Sequence, residues 1–402
     1  MSSTPARFLA LLCLYVLPAC DGGGEPVDTG GNGNGNGNGN GETAAEADVD
    51  GDGFGVAEDC DDNDAAINPD ATDDCDGIDN NCDGTTDEAG PSWYPDLDGD
   101  GFGDPNSGTA ACTAPDGHIA DASDCDDTRA HLFPYDTNED GTNDACGWRE
   151  VVAGNYFTCG VGSDRLTVCW GRMWSQVPPA VPLHGLAAGE DSACGLDDTD
   201  AIQCWGSGAR TPPAGTFTSV SVGGSYACGI TTGGAISCAG DDWNNQTVSP
   251  EGSFKAISST ASSYSHSCAL TTNGTATCWG WDNAGQTAAP SGRFTAIAAG
   301  AAHSCALDPD GAVVCWGDDY YGQGSAPEAS FVTLKLGLNH SCGITAANEL
   351  SCWGYDSASI ITNIPAGSFR DVASGAEHIC ALDTDGALNC WGKDTFGQVT
   401  VP

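Results

Sequence analysis

The sequence predicts an all-β chain built largely from repeats, and three observations carry that reading. A pair of Cys ten residues apart recurs seven times after residue 148. Between the two Cys of most copies lies a Gly-centred turn, as in Thr271-Thr-Asn-Gly274-Thr275, flanked by apolar residues. Before residue 148 the chain holds Asp-Gly loops surrounded by Gly, Pro and Cys, with no helical periodicity.

The bulk composition narrows the class further. The 402 residues carry 57 Asp and Glu against 11 Lys and Arg, a formal charge of -46. Such a polyanion repels nucleic-acid phosphates and anionic membrane surfaces, so neither is an expected partner. Most of the acids lie between residues 21 and 150, where they recur in loops, a distribution that suits cation binding better than general solvation. The 22 Cys fit an oxidising compartment rather than a reducing cytosol. No run reaches the roughly 18 apolar residues of a membrane-spanning helix.

Residues 1–19 read as an export signal: Arg7 precedes an apolar run from Phe8 to Leu17. Leu17-Pro18-Ala19-Cys20 resembles a bacterial lipobox, which implies lipidation of Cys20 as the first mature residue and anchoring in the cell envelope, at the outer membrane or cell surface. Residues 20–45 contain alternating Asn-Gly and are expected to be a disordered Gly/Asn tether that lifts the folded part off the membrane.

Residues 46–147 form an acidic module. Asp48, Asp50 and Asp52 occupy positions 1, 3 and 5 of an oxygen-rich loop, Gly53 permits the turn, Phe54 offers its carbonyl, and Asp59 stands at position 12. Asp79, Asn81 and Asp83 repeat the pattern with Asp87 at position 9. Asp96, Asp98 and Asp100 repeat it with Asp104, and Asp136, Asn138 and Asp140 with Asp144. Unbalanced carboxylates this close repel strongly, so calcium is the expected cofactor. Oxygen-only ligands and the lack of paired Cys-x-x-Cys argue against zinc.

The stretch from Asp59-Cys-Asp-Asp62 through Asn80-Asn-Cys-Asp-Gly84 resembles the MopE-type metal-binding repeat and the helix-less calcium repeats of thrombospondins. A second copy, from Tyr94 to Cys146, matches through Asp124-Cys-Asp-Asp127 but lacks Asn-Asn-Cys. Some relatives of this repeat have been given a copper role, but the soft ligands that role needs are sparse here.

Residues 148–402 hold the seven copies. In the fourth, if Thr271 pairs with Thr275 across a three-residue loop, Cys268 directly faces Cys278. That register predicts seven bridges: Cys159–Cys169, Cys194–Cys204, Cys228–Cys238, Cys268–Cys278, Cys305–Cys315, Cys342–Cys352 and Cys380–Cys390. The unit Phe294-x-x-Ile-x-x-Gly-x-x-His-Ser-Cys-Ala-Leu through Cys315-Trp-Gly-x-x-x-x-Gly-Gln323 resembles the repeat of the regulator of chromosome condensation family. The resemblance implies a seven-bladed β-propeller. Trp148 then takes the place of Phe294 in the first copy, and Gln398–Val401 is expected to close the ring beside it.

The resemblance does not carry the family's nuclear role to an exported acidic chain. His266, His303, His340 and His378 share one repeat position, and an inter-blade hydrogen bond is expected of them rather than metal binding. The Trp of Cys-Trp-Gly is expected to pack between blades. Trp174, Trp243, Trp281, Tyr320, Tyr321 and Tyr355 lie in connecting loops and are candidate anchors for a protein or glycan ligand. No nucleophile motif or metal-binding His pair is found, so a monomeric surface binding module, not an enzyme, is expected; a structural envelope protein is the alternative.

Overall fold

The computed structural model describes residues 48–87, 90–130, 132, 134–135, 146–172, 177–207 and 211–402. The signal segment, Cys20, the tether, Trp174 and the loop containing Asp136, Asn138, Asp140 and Asp144 lie outside the described residues. Contacts divide the chain into two compact units, Met1–Ala71 and Thr72–Pro402.

In the first unit the described residues, 48–71, are turns without strands. Their polar groups bond locally, as where the Glu58 and Asp59 amides donate to the Gly55 carbonyl at 2.8 and 2.9 Å. Carboxylates rather than apolar side chains organise this segment, and Ile67 is its one buried hydrophobic residue among those described.

The second unit opens with a small antiparallel sheet in which Ser92–Pro95 lies between Thr109–Ala110 and His118–Ile119. Disulfides Cys75–Cys112 and Cys125–Cys146 staple this region.

Seven three-stranded antiparallel sheets follow. Sheet one is Glu150–Ala153, Phe157–Val161 and Thr167–Gly171; sheet two is His184–Ala188, Ser192–Leu196 and Ile202–Gly206. Sheet three is Phe217–Val222, Tyr226–Thr231 and Ile236–Gly240; sheet four is Phe254–Ser259, His266–Thr271 and Ala276–Gly280. Sheet five is Ala296–Ala299, His303–Leu307 and Val313–Gly317; sheet six is Phe331–Leu336, His340–Thr345 and Leu350–Gly354. Sheet seven is Phe369–Ser374, His378–Asp383 and Leu388–Gly392. In each the first, inner strand pairs with the middle strand, and the middle with the outer.

The middle and outer strands meet in the register the turn chemistry dictates. The Gly274 amide donates to the Thr271 carbonyl at 2.8 Å, and Gly274 takes a φ of +89° that only Gly adopts without strain. Cys268 then faces Cys278, and the equivalent pair is opposed in all seven sheets. All seven pairs are bonded, with Cα atoms 4.0–4.1 Å apart, the close spacing of a non-hydrogen-bonded pair.

The core is a circuit of seven apolar clusters, each shared by two consecutive sheets. Leu270 of sheet four packs on Phe294 and Ala306 of sheet five; Cys305 and Leu307 of sheet five pack on Phe331 and Trp353 of sheet six. The seventh cluster joins Cys380 and Leu382 of sheet seven to Trp148, Val151 and Trp170 of sheet one. Backbone bonds follow the same circuit. The Phe294 amide donates to the Gly274 carbonyl at 2.8 Å, and the Trp148 amide donates to the Gly386 carbonyl of sheet seven at 3.0 Å. The seven inner strands line a central cavity of about 230 Å³.

Candidate functional site

Two kinds of site emerge, one of carboxylates and one of aromatic rings. The carboxylate sites begin with a turn. Asp48 accepts the Gly51 amide at 2.6 Å and the Gly53 amide at 3.1 Å. Asp96 does the same for Gly99 at 2.8 Å and Gly101 at 3.3 Å. Asp50 and Asp98, and Asp52 and Asp100, each accept the amide two residues on. One oxygen of these residues shapes the loop while the other is left pointing inward. One oxygen each of Asp48, Asp50 and Asp52 lies within 4.8 Å of the others, as does one each of Asp96, Asp98 and Asp100.

This crowding has an electrostatic signature. Burial first, then the charges of Asp98, Asp124 and Asp96, push the Asp100 carboxyl up to about 6. Burial and the charges of Asp52, Asp59 and Asp48 likewise raise Asp50. A divalent cation offsets both the burial of these carboxylates and their mutual repulsion, and an all-oxygen donor set suits a hard ion.

Asp59 stands beside the first loop, its amide on the Gly55 carbonyl. Its Oδ2, with those of Asp50 and Asp52, is buried without a hydrogen-bond partner. The loop of Asp79, Asn81 and Asp83 has the same turn, with Asp79 accepting the Gly84 amide at 2.9 Å. No carboxylate oxygen of that loop is among those buried without a partner in the described residues. Asp87 there accepts the Gly77 amide at 2.7 Å. Asp104, expected at position 9 of the third loop, is held by its own turn. Its oxygens accept the Asn106 amide at 2.9 Å and the Ser107 hydroxyl at 2.5 Å, which hold its carboxyl below the usual range. Asp124 instead stands with Asp98 and Asp100, and its Oδ2 is buried without a partner. The match between Asp124-Cys-Asp-Asp127 and Asp59-Cys-Asp-Asp62 was the available signal; a fixed loop spacing hid it.

The aromatic surface follows from strand direction. Inner and outer strands both run antiparallel to the middle strand, so the loops leaving their C-terminal ends emerge at the same end of each sheet. Trp243, Tyr320, Tyr321, Tyr355 and Phe396 follow outer strands, and Tyr264 follows an inner strand; all six are exposed. Trp243 is 87% and Tyr320 82% exposed. Rings gather across loops: Tyr321 lies 4.9 Å from Tyr320 and 4.6 Å from Tyr355 between centroids, and Tyr264 lies 5.1 Å from Trp281. The Arg172 guanidinium covers Tyr156 at 4.3 Å and Phe396 at 4.9 Å. The hairpin tips at the opposite end, such as Asp308-Pro-Asp310, carry no exposed aromatic ring among the described residues.

Three of the four repeated His bond across to the next sheet, while His340 is buried at the same position with its Nε2 lacking a hydrogen-bond partner. His266, His303 and His378 bond Ser304, Ser341 and Thr158 of the next sheet at 2.7, 3.0 and 3.0 Å. The Trp of Cys-Trp-Gly also ties sheets together: Trp279, Trp316 and Trp353 Nε1 donate to the carbonyls of Gln246, Gln286 and Gln323. Asp242 and Asp319, each half of an Asp-Asp pair, accept the Thr247 and Gly324 amides and so close turns.

The fold and sites define an all-β, propeller-like chain preceded by acidic metal-binding loops. Residues 257–286, 294–323 and 369–398 match the "Regulator of chromosome condensation (RCC1) repeat". Residues 59–88 and 124–138 match the MopE copper-binding family, described as a "Putative metal-binding motif". The chain therefore carries both kinds of repeat. Among solved structures it is similar to the entire ectodomain of the Physcomitrella patens receptor kinase CR4, at 27% identity and a TM-score of 0.52. That likeness covers 61% of this chain and 73% of the other. It is also similar to the CRINKLY WD40 ectodomain of the Arabidopsis thaliana receptor kinase ACR4, at 23% identity and 0.51, over 61% and 97%. No curated protein matches the chain. No helix among the described residues is long and apolar enough to cross a membrane.

Proposed function

We propose that the chain is an exported, lipid-anchored, non-enzymatic binding module: a seven-bladed propeller that presents one aromatic end to a protein or glycan ligand. A calcium-loaded acidic stalk joins it to the cell envelope through Cys20. The observation that carries the reading is the segregation of every exposed aromatic ring of the described repeat region to one end. Exposed, clustered aromatic rings cost solvation in a lone protein and anchor partners in a complex. The many disulfides and the export signal support an extracytoplasmic site of action.

The two carboxylate clusters support calcium, because their donors are hard oxygens at loop spacing. The test uses the full chain against a glycan array and intact cells, beside a quadruple variant Trp243→Ala, Tyr320→Ala, Tyr321→Ala, Tyr355→Ala. Trp243 and Tyr320 are largely solvent-facing and Tyr321 and Tyr355 are partly so, and melting should hold while binding falls at least tenfold. Equal binding by both proteins would overturn the aromatic end as the ligand surface.

A further inference from the structure

We propose that the third acidic loop, Asp96 to Gly103, forms its own divalent-cation site whose closing ligand is Asp124, supplied from beyond the small sheet. The assignment rests on the calcium reading above and adds a residue to it.

The first and third loops are held by matching hydrogen bonds. In the first, the Asp59 amide donates to the carbonyl of Gly55, the eighth residue of its loop, at 2.9 Å. Asp59 Oδ1 accepts the Asp61 amide at 2.9 Å, and Asp62 accepts the amide of Val49, the second residue, at 3.2 Å. In the third loop the Asp124 amide donates to the carbonyl of Gly103, again the eighth residue, at 3.2 Å. Asp124 Oδ1 accepts the Asp126 amide at 3.1 Å, and Asp127 accepts the amide of Leu97, again the second residue, at 2.8 Å. The two Asp-Cys-Asp-Asp segments therefore dock alike, although one is continuous with its loop and the other arrives after two further strands.

Burial supplies the independent observation. Asp59 is 5% and Asp124 7% exposed, and each keeps Oδ2 buried with no hydrogen-bond partner. Asp50 and Asp52 leave the same atom so in the first loop, Asp98 and Asp100 in the third. A buried carboxylate oxygen without a donor is costly, and Asp98, Asp100 and Asp124 each leave one here, negative charge that a cation would balance. Asp104, whose oxygens accept hydrogen bonds from Asn106 and Ser107, leaves no buried oxygen without a partner.

The experiment titrates the full chain with calcium chloride by calorimetry, beside Asp124→Asn, Asp104→Asn and Asp59→Asn. Asp124→Asn should weaken one site by about tenfold or more, the loss that even outer partners of a metal ligand produce. The site weakened by Asp59→Asn should be a different one, and Asp104→Asn should titrate like the wild type. A second readout needs no variant: calcium should slow hydrogen exchange at residues 97–101 and 124–127 together. If the wild type binds calcium and Asp124→Asn titrates unchanged, or if residues 124–127 gain no protection, the assignment is overturned while the calcium reading stands. A wild type that takes up no calcium overturns both.

Discussion

At the scale of single residues, the buried His show how this fold uses polar groups inside an apolar seam. Each ring is enclosed, and burial lowers His266, His340 and His378 to about 4 and His303 to about 3. The folded protein therefore keeps these rings neutral, while the unfolded chain protonates them near 6.5. Between pH 6.5 and 4 the unfolded state takes up protons that the folded state refuses. Stability present above pH 6.5 is thus lost as pH falls towards the folded values, by up to about 3 kcal/mol per ring. Sheet three shows a substitute, since Tyr226 takes the same place and reaches Ser267 with its hydroxyl at 2.8 Å. His303→Tyr should therefore fold and lose about a quarter of the acid sensitivity contributed by the four rings. Melting curves from pH 7 to 4.5 check this, and an unchanged pH slope would count against it. A neighbouring glycine is equally constrained. A Cβ on Gly337 would overlap the His340 ring and approach the Gly375 carbonyl, so Gly337→Ala should cost roughly 1–3 kcal/mol in a chemical melt.

At the scale of the hairpin element, the covalent staple and the turn support the same register. Removing one bridge by Cys268→Ala with Cys278→Ala frees a short loop in the unfolded chain. The entropic treatment gives a loss of about 2–3 kcal/mol. Denaturant melts of this variant should show a lowered midpoint; an unchanged midpoint would mean that turn and packing alone set the register. This register was legible in the sequence because it is local: Gly274 and the ten-residue Cys spacing determine which residues face each other. The turn also tolerates Arg165, Asp200 and Asn348 at positive φ, so Gly is preferred there but not obligatory. The aromatic end was legible only as loop membership. That Tyr264 and Trp281 meet depends on strand direction, which brings two loops of one sheet to the same end. Asp124 was hidden for a related reason. Its partners lie across an intervening pair of strands, and a pattern of fixed spacing pointed to Asp104 instead.

At the scale of the whole molecule, the seam between the last and first sheets is where the fold is most exposed to failure. At interior seams the hydroxyl of one sheet donates to a Gln carbonyl leaving the previous one: Ser304 to Gln286 at 3.0 Å, Ser341 to Gln323 at 2.8 Å. At the terminal seam Thr158 donates to Gln398 at 2.8 Å, so the C-terminal segment supplies the equivalent acceptor. Gln398 is 1% exposed, and Val401 packs against the cluster of Trp148 and Trp170. Leu132 and Tyr135 reach the same seam from the acidic region: Leu132 packs in that cluster, and Arg149 lies over the Tyr135 ring at 3.7 Å. Deleting residues 396–402 should therefore expose this seam and leave the Thr158 hydroxyl with His378 but without its carbonyl acceptor. The loss should reach several kcal/mol, or a fall in melting temperature on the order of 10 °C. Removing Pro402 alone, which is exposed, should change nothing measurable. Thr158→Val and Ser304→Ala should cost similar amounts if the terminal seam is built like the interior ones. Melting unchanged by the seven-residue deletion would show that sheets seven and one hold together without the C-terminal segment.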